Sequence, residues 1–307
     1  MTQDDMQHSR RDVVADWEET QELTRTVSLP WEDLLDAQPA TIQPEGRRFN
    51  ALAEMLWDAE RTGRPARRLR ALLPELSVSN AYAIRREVDL MRMTQGAAPV
   101  GRKIGLAARE LQERFGAEEP FWAYIYSTGS LRNGATLDLK GVLRPQLEPE
   151  VAVLLGHDLD TPGVTKARAA AAIATVQPAF EIVDQRTDAD GSDLAEAIAD
   201  SGWNAGFVLG DALPAAGLDL DAVRVRLVSA VQGDLRSGDA SALMDGPAGC
   251  LAWLAEKMIA IGEPLRAGEI ILTGTLAGAV PLKYSDTITA EFTGLGPAPV
   301  SVRVSGL

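Results

Sequence analysis

The sequence predicts an α+β protein with a β-rich, mixed, roll-like core, flanking helices and a small helical part near the N-terminus. Beyond residue 135, eight short strand-like runs follow one another, separated by turn residues. Only two helical stretches interrupt them, and the regular strand–helix alternation of a doubly wound parallel sheet is missing.

The elements follow in order. Residues 1–47 carry eleven acids against four arginines and the proline-containing stretch "SLPWEDLLDAQPATIQPEG", so they read as a partly ordered acidic extension with Trp17 and Trp31 available for docking. Residues 48–307 are expected to form one main domain. It opens with "FNALAEMLWDAERTG", whose Leu52, Met55, Leu56 and Ala59 fall at helical spacing. A second helix, "SVSNAYAIRREVDLMRMTQG", starts at a Ser77 or Ser79 cap and stops at Gly96. The strand "PVGRKIGL" and the helix "ARELQERFG" come next. The eight runs are "ATLDL", "EPEVAVLL", "FEIVD", "AGFVLG", "VRVRLVSAV", "EIILTGT", "DTITAEF" and "PVSVRVS", with helices at "KARAAAAIATV" and "AGCLAWLAEKMIAIG".

Composition narrows the function. A net charge of −14 over 307 residues disfavours nucleic acid and anionic membrane surfaces, which need clustered Lys and Arg. The N-terminus lacks a signal-peptide core and no run is long enough to span a bilayer, so a cytoplasmic protein is expected. Cys250 is the single cysteine, which excludes internal disulfides and thiolate clusters; its helical setting reads as a buried small side chain. Histidine is limited to His8 in the polar tail and His157 in a strand-to-turn setting, so a Ser/His or Cys/His pair would rest on His157 alone. Five lysines stand against twenty-five arginines, which singles out a lysine inside an apolar strand.

In "RPQLEPEVAV", strand alternation puts Glu148 and Glu150 on one face, roughly 7 Å apart along the strand. Two carboxylates held that close repel unless a cation lies between them. Pro149 cannot donate a ladder hydrogen bond, which suggests an edge or a strand start. Glu181 in "QPAFEIVDQR" adds a third acid with apolar neighbours. Three carboxylates completed by water and substrate oxygens suit Mg²⁺ or Mn²⁺; two solvated strand ends are the alternative. Lys103 in "VGRKIGL" reads either as a desolvated lysine that polarises or moves protons, or as one that snorkels to the surface. "IADSGWNAGFVLGD" offers Asp200, Ser201 and Asn204 to a carboxylate or a water, with an ordinary turn as the other reading. Thr273, Gly274 and Thr275 end a strand in a turn whose amides and hydroxyls suit an anion, or in a plain turn.

Taken together, Lys103, the Glu-x-Glu at 148 and 150, Glu181 in "FEIVDQR", Asp200 in "IADSGWNAGFVLG" and "LAEKMIAIGEPLRAGEIILTGT" resemble the hydratase/decarboxylase branch of the fumarylacetoacetate hydrolase superfamily. The resemblance runs from about residue 49 to the C-terminus and includes "DTITAEFTGLGPAPVSV" and the spacing from Glu150 to Glu181. It implies a roll-like core and a divalent ion, Mg²⁺ with Mn²⁺ as a substitute, held by Glu148, Glu150 and Glu181. It further implies a catalytic Lys103 and Asp200, and a pocket for a 2-oxo or 2-hydroxy-dienoate shaped by Ser201, Asn204, Thr273, Gly274 and Thr275. The implied reaction is hydration to a 4-hydroxy-2-oxo acid by a lyase. Decarboxylation of a 2-oxo-enedioate or another C–C cleavage is the alternative. A third reading, from another class, is an impaired subunit that supports a partner enzyme. A homo-oligomer is expected, in complex with a pathway enzyme under the third reading.

The sequence departs from the family pattern at several places. Ala107 and Ala108 replace a usual Thr-Ser, Ser201 an asparagine and Trp203 a serine; Gly246 lies in "DGP" where Gly-His-Pro or Gly-Asp-Pro is usual. The bulky "FWAYIY" stands in place of a small turn. Ligand positions persist while pocket positions change, which points to a different or bulkier substrate.

Overall fold

Apolar spacing and one strong cap set the helices at the start of the chain. In the computed structural model, which describes residues 44–187 and 193–305, α1 (Pro44–Thr62) buries Leu52, Ala53, Leu56 and Ala59. The short α2 (Leu69–Leu72) follows. Then α3 (Val78–Thr94) begins at Ser77, whose hydroxyl accepts from the Asn80 amide while the Asn80 side chain accepts from the Ser77 amide. This reciprocal capping satisfies two donors that the first turn would leave orphaned. Residues 1–43 of the expected extension lie outside the described residues, and 44–47 form the first turn of α1.

The chain continues through β1 (Pro99–Gly105), α4 (Arg109–Phe115), β2 (Phe121–Tyr126), β3 (Ser130–Arg132), β4 (Thr136–Asp138), β5 (Pro145–Leu155), α5 (Lys166–Ala172) and β6 (Ile173–Asp184). After these come α6 (Leu194–Ala199), β7 (Asn204–Leu209), β8 (Leu213–Pro214), β9 (Arg224–Ser229) and β10 (Gly233–Asp239). Helix α7 (Gly246–Ala260), β11 (Ile270–Thr275), β12 (Val280–Pro281), β13 (Thr287–Thr293) and β14 (Val300–Ser305) complete the described chain.

Nine strands form one mixed sheet along the path β2-β1-β11-β5-β6-β7-β3, with β12 on β5 and β8 on β6; five form a second, in the order β10-β9-β13-β14-β4. The larger sheet curls, so that β2 approaches β7 although they are not neighbours in it. Strand alternation sorts its residues. One face sends Leu147, Val151, Val153, Val176 and Phe180 into the main core, against the second sheet and α7. The other, inside the curl, carries Ile125, Ala152, Ala179, Phe207 and Leu272. Helices α1, α2, α3 and α6 pack into a separate cluster that Phe121 joins. No helix among the described residues is long and apolar enough to cross a membrane. Cys250 is buried, and burial pushes its thiol up to about 12, in keeping with a small core side chain.

The structure adds one strand that was not foreseen and corrects two expectations. "FWAYIY" is a strand, β2, paired antiparallel to β1 with Ala123 opposite Lys103; its aromatic residues suit a pleated, half-buried surface. The helix expected over "KARAAAAIATV" stops at Ala172, because Ile173, Thr175 and Val176 enter the ladder with β5. Pro149 lies mid-sheet instead of at an edge. It pairs with Phe180 on one side, and on the other it faces a break in the β11 register between Leu272 and Thr275. That bulge absorbs the missing donor, the other place where a sheet tolerates proline.

Phe207 is fully buried inside the curl, directly across from Glu181. Phe207→Ala should lower unfolding stability by about 3–5 kcal/mol in a urea titration, the usual range for emptying a buried phenylalanine site.

Candidate metal centre

The carboxylates meet because of register. Glu148 and Glu150 lie on the inner face of β5, and Glu181 of β6 is the cross-strand partner of Glu148. One oxygen from each lies within 4.8 Å of the others. Glu150 and Glu181 are buried, at 1% and 0% exposure, and Glu148 is half-buried. Lys103 reaches the same face from β1, which is tied through Leu272 of β11 to Ala152 of β5. Its Nζ lies 3.0 and 3.1 Å from the two oxygens of Glu181.

The surrounding groups fix the carboxylates in place. The amide of Gly274 donates to Glu150 Oε2 at 2.8 Å. That amide sits in the β11 bulge opposite Pro149, at a backbone φ of +108° that favours glycine, and a Cβ there would come within 2.4 Å of Ala107 Cβ. Asn204 donates from Nδ2 to Glu181 Oε1 at 2.9 Å. Glu150 Oε1 is buried with no hydrogen-bond partner.

The electrostatics are those of an anion cluster short of positive charge. Burial, then the Glu181 charge, raise Glu148 to about 7 even with Lys103 nearby. Burial and the two neighbouring glutamates raise Glu150 well above the carboxylate range. Burial alone would depress the Lys103 ammonium, but Glu181, Glu148 and Glu150 outweigh it and raise it. At an effective dielectric near 20, two carboxylate charges about 5 Å apart repel by roughly 3 kcal/mol. That is a large share of the 5–15 kcal/mol that holds a typical protein folded, given as an order of magnitude. A buried donor set of hard oxygens with one unpartnered oxygen fits a divalent cation of the Mg²⁺ or Mn²⁺ kind.

The other expected residues divide. Asp200, at 2% exposure, turns its carboxylate to Arg186. Its Oδ2 accepts from the Arg186 amide at 2.9 Å and its Oδ1 from the Arg186 guanidinium at 3.3 Å. Burial still raises it to about 6. The Ser201 hydroxyl accepts from Arg92 at 2.7 Å. Thr273 donates to the Val151 carbonyl at 2.8 Å, within its own sheet. Thr275, opposite Glu150, has a buried hydroxyl with no partner. The Phe121 ring lies 5.4 Å from Lys103 Nζ, and Trp203, in the turn after Asp200, packs on Phe115 at 6.2 Å.

Sequence reasoning did not single out Glu60, Arg92 or Arg186, which converge on the Asp200 turn. One signal was available: Arg85, Asp89 and Arg92 share a helix face at four- and three-residue spacing on the buried side of α3.

Comparison with known proteins gives the family and the fold. The family model described as "Fumarylacetoacetate (FAA) hydrolase C-terminal" matches residues 108–303. A 2-keto-4-pentenoate hydratase of Burkholderia vietnamiensis is 33% identical over 247 residues, 80% of this chain and 94% of that one. A 2-hydroxyhexa-2,4-dienoate hydratase of Comamonas testosteroni is 32% identical over 84% of this chain and 96% of its own. Among solved structures, 4-oxalocrotonate decarboxylase from Pseudomonas putida G7, complexed with magnesium and adipate, superposes with a TM-score of 0.80 at 27% identity, covering 84% of this chain and 97% of that one.

Asn204→Ala removes the donor that orients Glu181 and should weaken Mn²⁺ binding by about ten- to hundredfold, the range for partners of metal ligands. Glu150→Gln should weaken it at least as much. The free Mn²⁺ signal in electron paramagnetic resonance titrations reads both.

Proposed function

The chain belongs to the fumarylacetoacetate hydrolase family, and we propose that it is a divalent-metal-dependent hydratase of 2-hydroxy-dienoates or 2-oxo-enoates, with Mg²⁺ as the working ion. The observation that carries this reading is the buried Glu148–Glu150–Glu181 triad with Lys103 on Glu181. It stands in a chain about one-third identical to named hydratases across nearly their whole length. A cytoplasmic homo-oligomer belongs to the same proposal.

Glu148, Glu150 and Glu181 would hold the ion, which supplies, when bound, a Lewis acid for charge developing on the substrate's C2 oxygen. The Gly274 amide and Asn204 keep Glu150 and Glu181 from turning away. The reaction moves protons twice. The dienol loses its O2 proton and gains one at C5, giving a 2-oxo-3-enoate; water then adds across C3–C4, with hydroxyl at C4 and hydrogen at C3. Lys103 carries a proton at Nζ against Glu181, positioned to hold or pass one on the C2 side. Apolar Phe121 beside it keeps that ammonium from water. Asp200 acts through the backbone turn it anchors, and the unpartnered Thr275 hydroxyl is the group in the Thr-Gly-Thr segment left to meet substrate.

A second reading, decarboxylation of a 2-oxo-enedioate on the same site, draws on the 27%-identical decarboxylase structure. Product analysis separates the two. With Mg²⁺, a 2-hydroxy-dienoate should be converted to its 4-hydroxy-2-oxo acid without CO₂ release, and EDTA should stop turnover. Lys103→Met should lower kcat by about 10²–10⁴-fold, the usual worth of a positioned acid–base group. CO₂ release from an enedioate with no hydration favours the second reading, and turnover indifferent to EDTA defeats both.

A further inference from the structure

The segment that follows Asp200 adopts a backbone that should not persist unaided. Ser201, Gly202 and Trp203 have φ of +53°, +58° and +62°, three successive left-handed residues of which only one is glycine. A non-glycine residue held there is strained and stays only where its surroundings fix it. The turn also touches the site. A Cβ on Gly202 would lie 2.9 Å from Lys103 Nζ and 2.5 Å from the Phe121 ring, so this backbone packs directly on the lysine. Asn204, the next residue after the turn, donates to Glu181.

Two buried arginines hold the turn at its two ends. Arg186 binds the Asp200 carboxylate through its amide and guanidinium, and donates to the Asn204 carbonyl. Arg92 donates to Ser201 Oγ at 2.7 Å. Both converge on one carboxylate of α1: Glu60 Oε2 lies 2.6 Å from Arg92 and 3.2 Å from Arg186. Burial would raise the Glu60 carboxyl, but Arg92 and Arg186 outweigh it and bring it down to about 2, so its charge is fixed at working pH. Glu60 lies in neither the metal triad nor the stretch matched by the family model.

We propose that Glu60 is a positioning residue for this site: by clamping Arg92 and Arg186 it sets the left-handed turn at 201–203, and through that turn the placement of Lys103 and Asn204. The proposal deepens the hydratase reading and rests on it for its kinetic consequence, while its structural part stands apart from substrate identity. Uncompensated, the two guanidiniums would draw toward Asp200 and Asp89 and release Ser201, because Arg92 already shares Asp89 at 3.2 Å.

The test compares wild type, Glu60→Gln, Ser201→Ala and the double variant. Hydrogen–deuterium exchange needs no substrate and decides the clamp whether or not the chain proves to be a hydratase. In Glu60→Gln, exchange in peptides spanning 198–206 should quicken at least severalfold while β5 and β6 stay unchanged. Under the hydratase assay, kcat should fall about ten- to hundredfold, as expected when a reacting group is displaced slightly, with KM nearly constant. The double variant should lose no more than the larger single loss, because both changes break one path. Should Glu60→Gln fail to fold, Ser201→Ala, which leaves the ion cluster intact, carries the same exchange and kcat test. Unchanged exchange over 198–206, or additive kcat losses, would overturn the proposal. Absence of hydration by the wild type, with the exchange result as expected, would overturn the hydratase reading alone.

Discussion

Everything around the site is arranged against one repulsion: three carboxylates on the inner face of adjacent strands, with a single ammonium in contact. Burial strengthens that repulsion and removes water as a remedy, which is why the Glu148 and Glu150 carboxyls are raised above their ordinary range. An anionic cluster of this kind is a stability liability for a fold and an asset for holding a dication. The protein accepts the liability on two strands paired on both sides: β5 lies between β6 and the β11/β12 pair, and β6 between β5 and the β7/β8 pair. Long cross-strand pairing there fixes the carboxylate spacing to within what a backbone ladder allows.

The irregularities of the sheet serve the same cluster. Pro149 removes a ladder donor between Glu148 and Glu150, and the β11 bulge that answers it turns the Gly274 amide onto Glu150. A regular strand would have used that amide in the ladder. The turn at 201–203 is the second irregularity, and it does for Lys103 and Glu181 what the bulge does for Glu150. Both features exchange regular backbone for a donor or a surface aimed at the charges, and both are packed against neighbouring side chains.

How much of this was legible in the sequence depended on how local the signal was. Alternation placed Glu148 and Glu150 on one face, and apolar neighbours put Glu181 on a strand, because period-two patterning is written in consecutive residues. The Ser77 cap was equally local. Pro149 misled because a proline reports a missing donor without saying whether an edge or a bulge receives it. "FWAYIY" was passed over as an element although its aromatic residues favour a strand, and the residues after Ala172 were misassigned because pairing to β5, not their own propensity, decided their state. The Glu60–Arg92–Arg186 cluster stayed hidden for the same reason: its members are far apart in sequence and meet only when α1, α3 and the end of β6 pack together. Asp200 was found as a residue of the motif, but its contact with Arg186 could not be read from composition.

Glu148, Glu150 and Glu181 are proposed to hold one divalent ion together. Crystals of the protein grown with Mn²⁺ and measured above the manganese absorption edge test it most directly. One anomalous peak on the inner face of the curled sheet, bounded by an oxygen from each of the three glutamates, is the predicted result. A peak elsewhere, or an ordered triad with no peak at saturating Mn²⁺, would contradict it.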